Sequence, residues 1–153
     1  MSAAPLSTAP LPTAPRPLMV LVAGPYRSGT GDDPARLAAH ARAMHEAALD
    51  LFRAGHLAVT GEALALPLLE AAGGARPGDA AFEEIFHPVA ERLLARCDAV
   101  LRIGGASAGA DMMVRQARAA GKAVYTSADE IPRPEGDLSP DPISNPDEIK
   151  AAR

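Results

Sequence analysis

Aromatic side chains are nearly missing from this chain: its 153 residues include three Phe, two Tyr and no Trp. Without bulky rings, the core has to be assembled from Ala, Leu and Val, which suits close packing of helices on a sheet. A single cysteine, Cys97, excludes an intrachain disulfide and a thiolate metal cluster, and it fits a reducing compartment. Long apolar runs are lacking as well. The first uninterrupted one, Leu18 to Ala23, is far too short to span a bilayer or to form a signal core, and Met1 to Pro17 has no basic start. These absences point to a cytoplasmic protein with no membrane partner. Nor is there a cluster of one charge. The formal net charge is -4, with Lys and Arg scattered among acids, which argues against a nucleic-acid backbone as partner. A local pocket can still oppose the net charge and take a small anion.

What the chain does have is proline at its ends and an orderly alternation between them. Residues 1–17 mix Ala, Pro, Ser, Thr and Leu, a composition that resists helix and sheet because each Pro removes a donor and restricts its predecessor; a disordered arm is expected. The tail 132–153 is similarly Pro-rich, although Asn145-Pro146-Asp147-Glu148 carries the cap and acidic first turn of a short terminal helix. One α/β domain, residues 18–131, is expected in between. Leu18 to Ala23 reads as a buried strand ended by Gly24-Pro25, and Asp33-Pro34 opens a helix with Leu37, Met44, Ala48, Leu51 and Phe52 on one face and Gly55 as its stop. His56 to Thr60 is a second strand. Gly61 to Gly78, interrupted by Pro67, Gly73, Gly74 and Pro77, reads as a loop with one helical turn. Phe82, Ile85, Phe86, Val89 and Leu93 keep helical spacing, with Pro88 expected to kink that helix or to start a new one. Asp98 to Ile103 is the third strand, Ser107 to Ala120 a helix, and Lys122 to Thr126 the fourth strand.

Strands alternating with helices imply a parallel sheet covered on both faces. Ligands gather at the carboxyl ends of such strands, near the reversal in strand order. That rule selects Gly24 to Gly31, Thr60 to Leu64, Gly104 to Gly109 and Thr126 to Glu130. Within them, Gly104-Gly105-Ala106-Ser107-Ala108-Gly109 joins a strand to a helix, so free N–H groups at the helix start would face an anion, with Ser107 as N-cap or as a phosphate-contacting hydroxyl. It lacks the Gly-Lys-Ser/Thr of a Walker loop and is not a GxGxxG fingerprint. The first loop, Gly24-Pro25-Tyr26-Arg27-Ser28, offers a ring to stack on a base and a guanidinium for a phosphate or carboxylate.

The order of these pieces carries a resemblance. An Ala-Gly-Pro-Tyr strand end, a Gly-His-x-Ala-Val strand, Cys97-Asp98-Ala99-Val100, a Ser-x-Gly-Ala loop and a helix ending in Gly-Lys-x-Val together look like the nucleoside 2-deoxyribosyltransferase superfamily, most of all its DUF4406-type branch. The similarity runs from about Leu18 to Thr126. It implies a flavodoxin-like or Rossmann-like three-layer sandwich with a four- to five-stranded parallel sheet. It also implies a pocket for a nucleoside or nucleoside 5′-monophosphate, cleavage or transfer at the N-glycosidic bond, homo-oligomers of two or more copies, and no cofactor. By this resemblance Gly24, Pro25, Tyr26, Arg27 and Ser28 receive base or sugar, while Gly104, Gly105, Ser107, Gly109 and the helix start receive phosphate.

The chain departs from the family at the chemistry. The glutamate that family enzymes carry one turn into this helix, facing the anomeric carbon, falls at Met113 here, and a thioether supplies no charge. An aspartate that the transferases carry before the third strand falls near His87-Pro88. Asp111 lies two positions before Met113, about 200° away around a helix. Glu62, just beyond the second strand, is the other carboxylate placed for catalysis. His40 and His45 are five apart and share no helical face, so no metal site is expected. Ser28 and Ser107 show no His and Asp partnership for a hydrolase triad. Three readings stay open: an enzyme acting at the N-glycosidic bond through Glu62 or Asp111, a nucleotide-binding or regulatory module that has lost the chemistry, and a structural oligomer.

Overall fold

The computed structural model describes residues 15–74 and 80–136. Apolar runs short enough for strands and bounded by turn formers give β1 (Met19–Ala23), β2 (Leu57–Thr60), β3 (Ala99–Arg102) and β4 (Ala123–Tyr125). They pair only in parallel, in the order β2-β1-β3-β4, with Val20 opposite Ala99 and Met19 opposite Leu57. This is an α/β fold of the flavodoxin or Rossmann kind. Near-continuous hydrophobicity in β1 follows from burial on both faces. Val20 and Val22 meet Met44 and Leu51 on one side, together with Ala99, Leu101 and Ile131. Leu21 and Ala23 meet Ala90, Leu93, Leu94, Met113 and Val114 on the other.

Helix α1 (Pro34–Arg53) starts where Asp33 accepts from the Arg36 N–H at 3.0 Å with Pro34 in the first turn, and it stops before Gly55, whose φ of 94° is left-handed. It covers the first face, and only its Met44 and Leu51 are fully buried. Phe52, expected on the buried stripe, is 69% exposed: Leu51 takes the inward position and the next residue is rotated about 100° away from it.

The segment after β2 is not a loop. Helix α2 (Gly61–Ala71) runs for 11 residues directly from the strand and ends at Gly73 and Gly74, both with positive φ. Ala and Leu favour helix strongly enough to carry it through Pro67. Helix α3 (Ala80–Arg96) likewise runs as one element through Pro88, so no new helix starts there. Beside it on the second face lies α4 (Ala108–Ala119), whose N-cap Ser107 accepts from the Ala110 N–H at 3.2 Å. A short 3-10 turn, Ala128–Glu130, follows β4.

At the edge where the strands begin, the chain ends are tied in. Asp98 accepts from the Met19 N–H at 2.8 Å and pairs with Arg16 at 2.7 Å, and the Glu135 N–H donates to the Pro15 carbonyl. Residues of the expected arm and of the expected tail thus meet at this edge. The rest of the expected arm and the expected terminal helix at 145–148 lie outside the described residues. Among the described residues, no helix is long and apolar enough to cross a membrane.

Candidate functional site

Since β1 has β2 on one side and β3 on the other, the chain leaves β1 and β3 in opposite directions, and a cleft opens between their carboxyl ends. A cavity of about 260 Å³ occupies it. Gly24, Tyr26, Arg27 and Ser28 come to its wall from the loop after β1, Gly61 and Glu62 from the start of α2, and Ser107, Gly109 and Met113 from the start of α4. A shallower outer lobe shares Ser28, Ser107 and Ala108 with it and adds Pro25, Gly29, His40, Gly105 and Ala106.

Glu62 is the most unusual residue here. It is 3% exposed, and its Oε1 has no hydrogen-bond partner. The nearest basic atom is His45 Nε2, 3.4 Å from Oε1. Burial raises the Glu62 carboxyl above the ordinary range, against smaller opposing help from hydrogen bonds and from His45. The group is thus biased toward its protonated form. Burial also raises the Tyr26 phenol, with the Glu62 charge adding to the effect.

Helix α3 supplies a wall to which sequence reasoning gave no role in the site. Phe82, Glu83, Phe86 and His87 of α3 line the cavity. Tyr26 stacks on Phe86 at 5.5 Å between centroids, and Phe86 on Phe82 at 4.7 Å. A chain with three Phe and two Tyr thus places three of those rings side by side in one cleft. The available signal was the Phe82 and Phe86 pair, four apart and on one helical face, in a chain so poor in rings. His87 Nε2 lies 3.6 Å from Glu83 Oε2.

The first loop is braced by its own polar groups. Arg27 makes a two-point pair with Asp32, at 2.8 and 3.3 Å, and its guanidinium carbon lies 5.8 Å from the centre of the Phe82 ring. Thr30, buried, donates to the Arg27 carbonyl at 2.6 Å. His40 Nδ1 is 2.9 Å from the Tyr26 carbonyl; a carbonyl only accepts, so this nitrogen carries a proton.

Two expected site residues stand elsewhere. Asp111 lies outside both lobes, because the first turn of α4 is regular and turns it outward, where Arg102 Nε holds it at 3.1 Å. The same guanidinium donates to the Ile103 carbonyl and, at 2.8 Å, to that of Gly105, so Asp111 helps to clamp the turn after β3. Gly104 also lines neither lobe. Its φ is 74°, and a Cβ there would lie 2.7 Å from Pro25 Cδ, so glycine lets the two loops close on each other. Met113 is buried in the cavity wall. Cys97 is buried at the opposite end of the molecule, its thiol pushed up to about 11, chiefly by desolvation. Among the described residues, no three His, Cys, Asp or Glu gather as a metal site requires.

The arrangement can enclose a flat, partly apolar ligand against aromatic rings, offer it one buried carboxyl, and present the free N–H groups of a helix start to an attached anion. No family model matches the chain, and no curated protein matches it in sequence. The site is therefore read from its own residues.

Proposed function

We propose that the chain binds a nucleoside or nucleoside 5′-monophosphate in this cleft and hydrolyses its N-glycosidic bond, in the manner of the nucleoside 2-deoxyribosyltransferase type. The observation that carries the reading is Glu62, 3% exposed on the cavity wall, whose carboxyl oxygen Oε1 has no hydrogen-bond partner. A buried polar atom left unpaired costs about 1–3 kcal/mol, a cost that makes sense where a ligand supplies the partner. The base would stack on Tyr26 at the end of the aromatic row, with the sugar and any phosphate toward Ser107, Gly109 and the start of α4.

Cleavage breaks the bond from the anomeric carbon to the base nitrogen, and the electron pair leaves with the base. Protonated Glu62 donates to that base as it departs, and water adds to the cationic sugar. Hydrolysis is favoured over transfer because transfer through a glycosyl-enzyme intermediate needs a nucleophilic carboxylate, and Met113 stands in that place. The role assigned to Glu62 is thus that of acid. Asp111, committed to Arg102, has no part in it.

A nucleotide-binding module without chemistry is the second reading, favoured by that same buried thioether. Incubation with a panel of ribo- and deoxyribonucleosides and their 5′-monophosphates, followed by chromatography, separates the two. Release of free base, falling about 10²- to 10⁴-fold in Glu62→Gln with ligand binding retained, supports the enzyme. Binding without release supports the module.

A homo-oligomer belongs to the same proposal. Phe52, Leu57, Leu64 and Leu68 leave large apolar surface exposed in and beside the edge strand β2, which suits contact with a second copy. Light scattering tests it. A cytoplasmic location completes the reading, with Cys97 as a reduced thiol.

A further inference from the structure

A buried acid that gives up a proton in every turnover has to regain one. Once a ligand fills the cavity, water cannot reach Glu62 from that side. The carboxyl oxygen Oε1 is itself shielded from solvent. Beside Glu62 stands His45, which belongs to α1 and is absent from the cavity lining. Its Nε2 lies 3.4 Å from Oε1, and its side chain is 55% exposed. Among the described residues, His45 is the one basic group within ion-pair reach of Glu62. One end of the imidazole therefore faces the buried carboxyl while the ring stands in water.

We propose that His45 is the port through which Glu62 exchanges its proton with solvent, behind a cavity closed by its ligand. The idea rests on the acid role given to Glu62 above. After the base has left with its proton, Glu62 is a carboxylate. The Nε2–H bond of the His45 imidazolium breaks, the Oε1–H bond of Glu62 forms, and the electron pair stays on the nitrogen. The neutral ring then takes a proton from water. The water that adds to the sugar releases its own proton to solvent, so the cycle closes without a further reactant. Histidine suits this duty because its ring can both accept and donate a proton without leaving its place. The other titratable groups around Glu62, namely Tyr26, Arg27, Glu83 and His87, all line the cavity and are covered with it when a ligand binds. The charge that acts on Glu62 is that of His45, so the port is read by perturbing His45 alone. His45 acts through Glu62 and touches no substrate: it is a positioning residue.

The test uses the full chain with His45→Gln and His45→Ala, both at an exposed position. The port predicts a fall in kcat of about tenfold or more with KM little changed. It also predicts that added imidazole restores turnover in His45→Ala, in proportion to its concentration, but not when Glu62→Gln is combined with it. Titration of carbon-13-labelled glutamate in the ligand-free protein gives a second readout. The Glu62 midpoint should rise in His45→Gln, because the positive charge that favours the carboxylate is gone. An unchanged kcat, or a loss that imidazole leaves unrestored, overturns the port. If the wild-type chain releases no base from any nucleotide, the enzyme reading fails instead; the titration still judges the coupling, and an unmoved Glu62 midpoint overturns it.

Discussion

The two ends of the sheet are built on different terms. Where the strands begin, most polar groups pair within the fold: Asp98 takes the Met19 N–H and Arg16, and His56 Nδ1 takes the Leu18 N–H at 3.1 Å, although the buried His56 Nε2 has no partner. Lys122 donates from Nζ to the carbonyls of Leu94 and Cys97, at 2.9 and 2.5 Å, closing the last turn of α3. Where the strands end, the buried Thr60 Oγ1 and Glu62 Oε1 have no partner, and the loops use left-handed backbone at Gly29, Gly31, Asp32 and Gly104. The first end is closed mostly by pairs within the protein, with glycine at its left-handed turns, Gly55 and Gly121. The second adds an unpaired carboxyl oxygen on the cavity wall and a non-glycine residue, Asp32, in left-handed backbone, costs of the kind that accumulate where a protein binds or reacts.

The contrast can be broken most strongly at Gly104. Alanine there meets both a left-handed φ and the Pro25 ring, and Gly104→Ala should lose about 2–3 kcal/mol of stability, read as a lower urea midpoint at an unchanged slope. Nucleotide affinity should fall with it, since the loop carrying Tyr26 and Arg27 is displaced. At the other edge, Lys122→Met removes the ammonium that caps α3 and should cost about 1–2 kcal/mol while leaving nucleotide binding intact. If binding falls in step, the two edges are not energetically separate.

The smallest effect sharpens the contrast by its sign. Burial raises the Glu62 carboxyl, so the folded state prefers the neutral acid. The stability tied to this group is fully present below the ordinary glutamate range and is lost as pH climbs through the raised folded value. Glu62→Gln cannot ionise. It should therefore pull ahead of the wild type in thermal melts as pH rises above the ordinary glutamate range. Equal pH dependence in the two proteins would mean that Glu62 is not a destabilising buried acid.

Reading the strands required little beyond composition. Each is a run of Ala, Val and Leu ended by Gly or a capping residue, and a run short enough to be a strand and buried on both faces has few other options. The start of α1 at Asp33-Pro34 was equally plain. Helix α2 was not legible, because Pro67 and the glycines around it weigh locally as breakers. What keeps Gly61–Ala71 helical includes the burial of Ala65 and Leu69 against the rest of the fold. Phe82 and Phe86 mislead in the other direction: apolar residues at helical spacing say that a helix face is covered, not whether protein or an empty cleft covers it.

By itself, the sequence determined the alternation of strands and helices, the cleft at their carboxyl ends, and the loops of Gly24 to Ser28 and Gly104 to Gly109 that border it. Such features follow from local pattern and from the few ways a parallel sheet can be connected. Tertiary structure alone decided that Glu62 is buried with Oε1 unpaired, that Asp111 belongs to Arg102, and that His45 stands beside the acid. Burial and pairing are set by which side chains the fold brings within a few ångströms across long stretches of chain, and spacing along the sequence does not encode that distance.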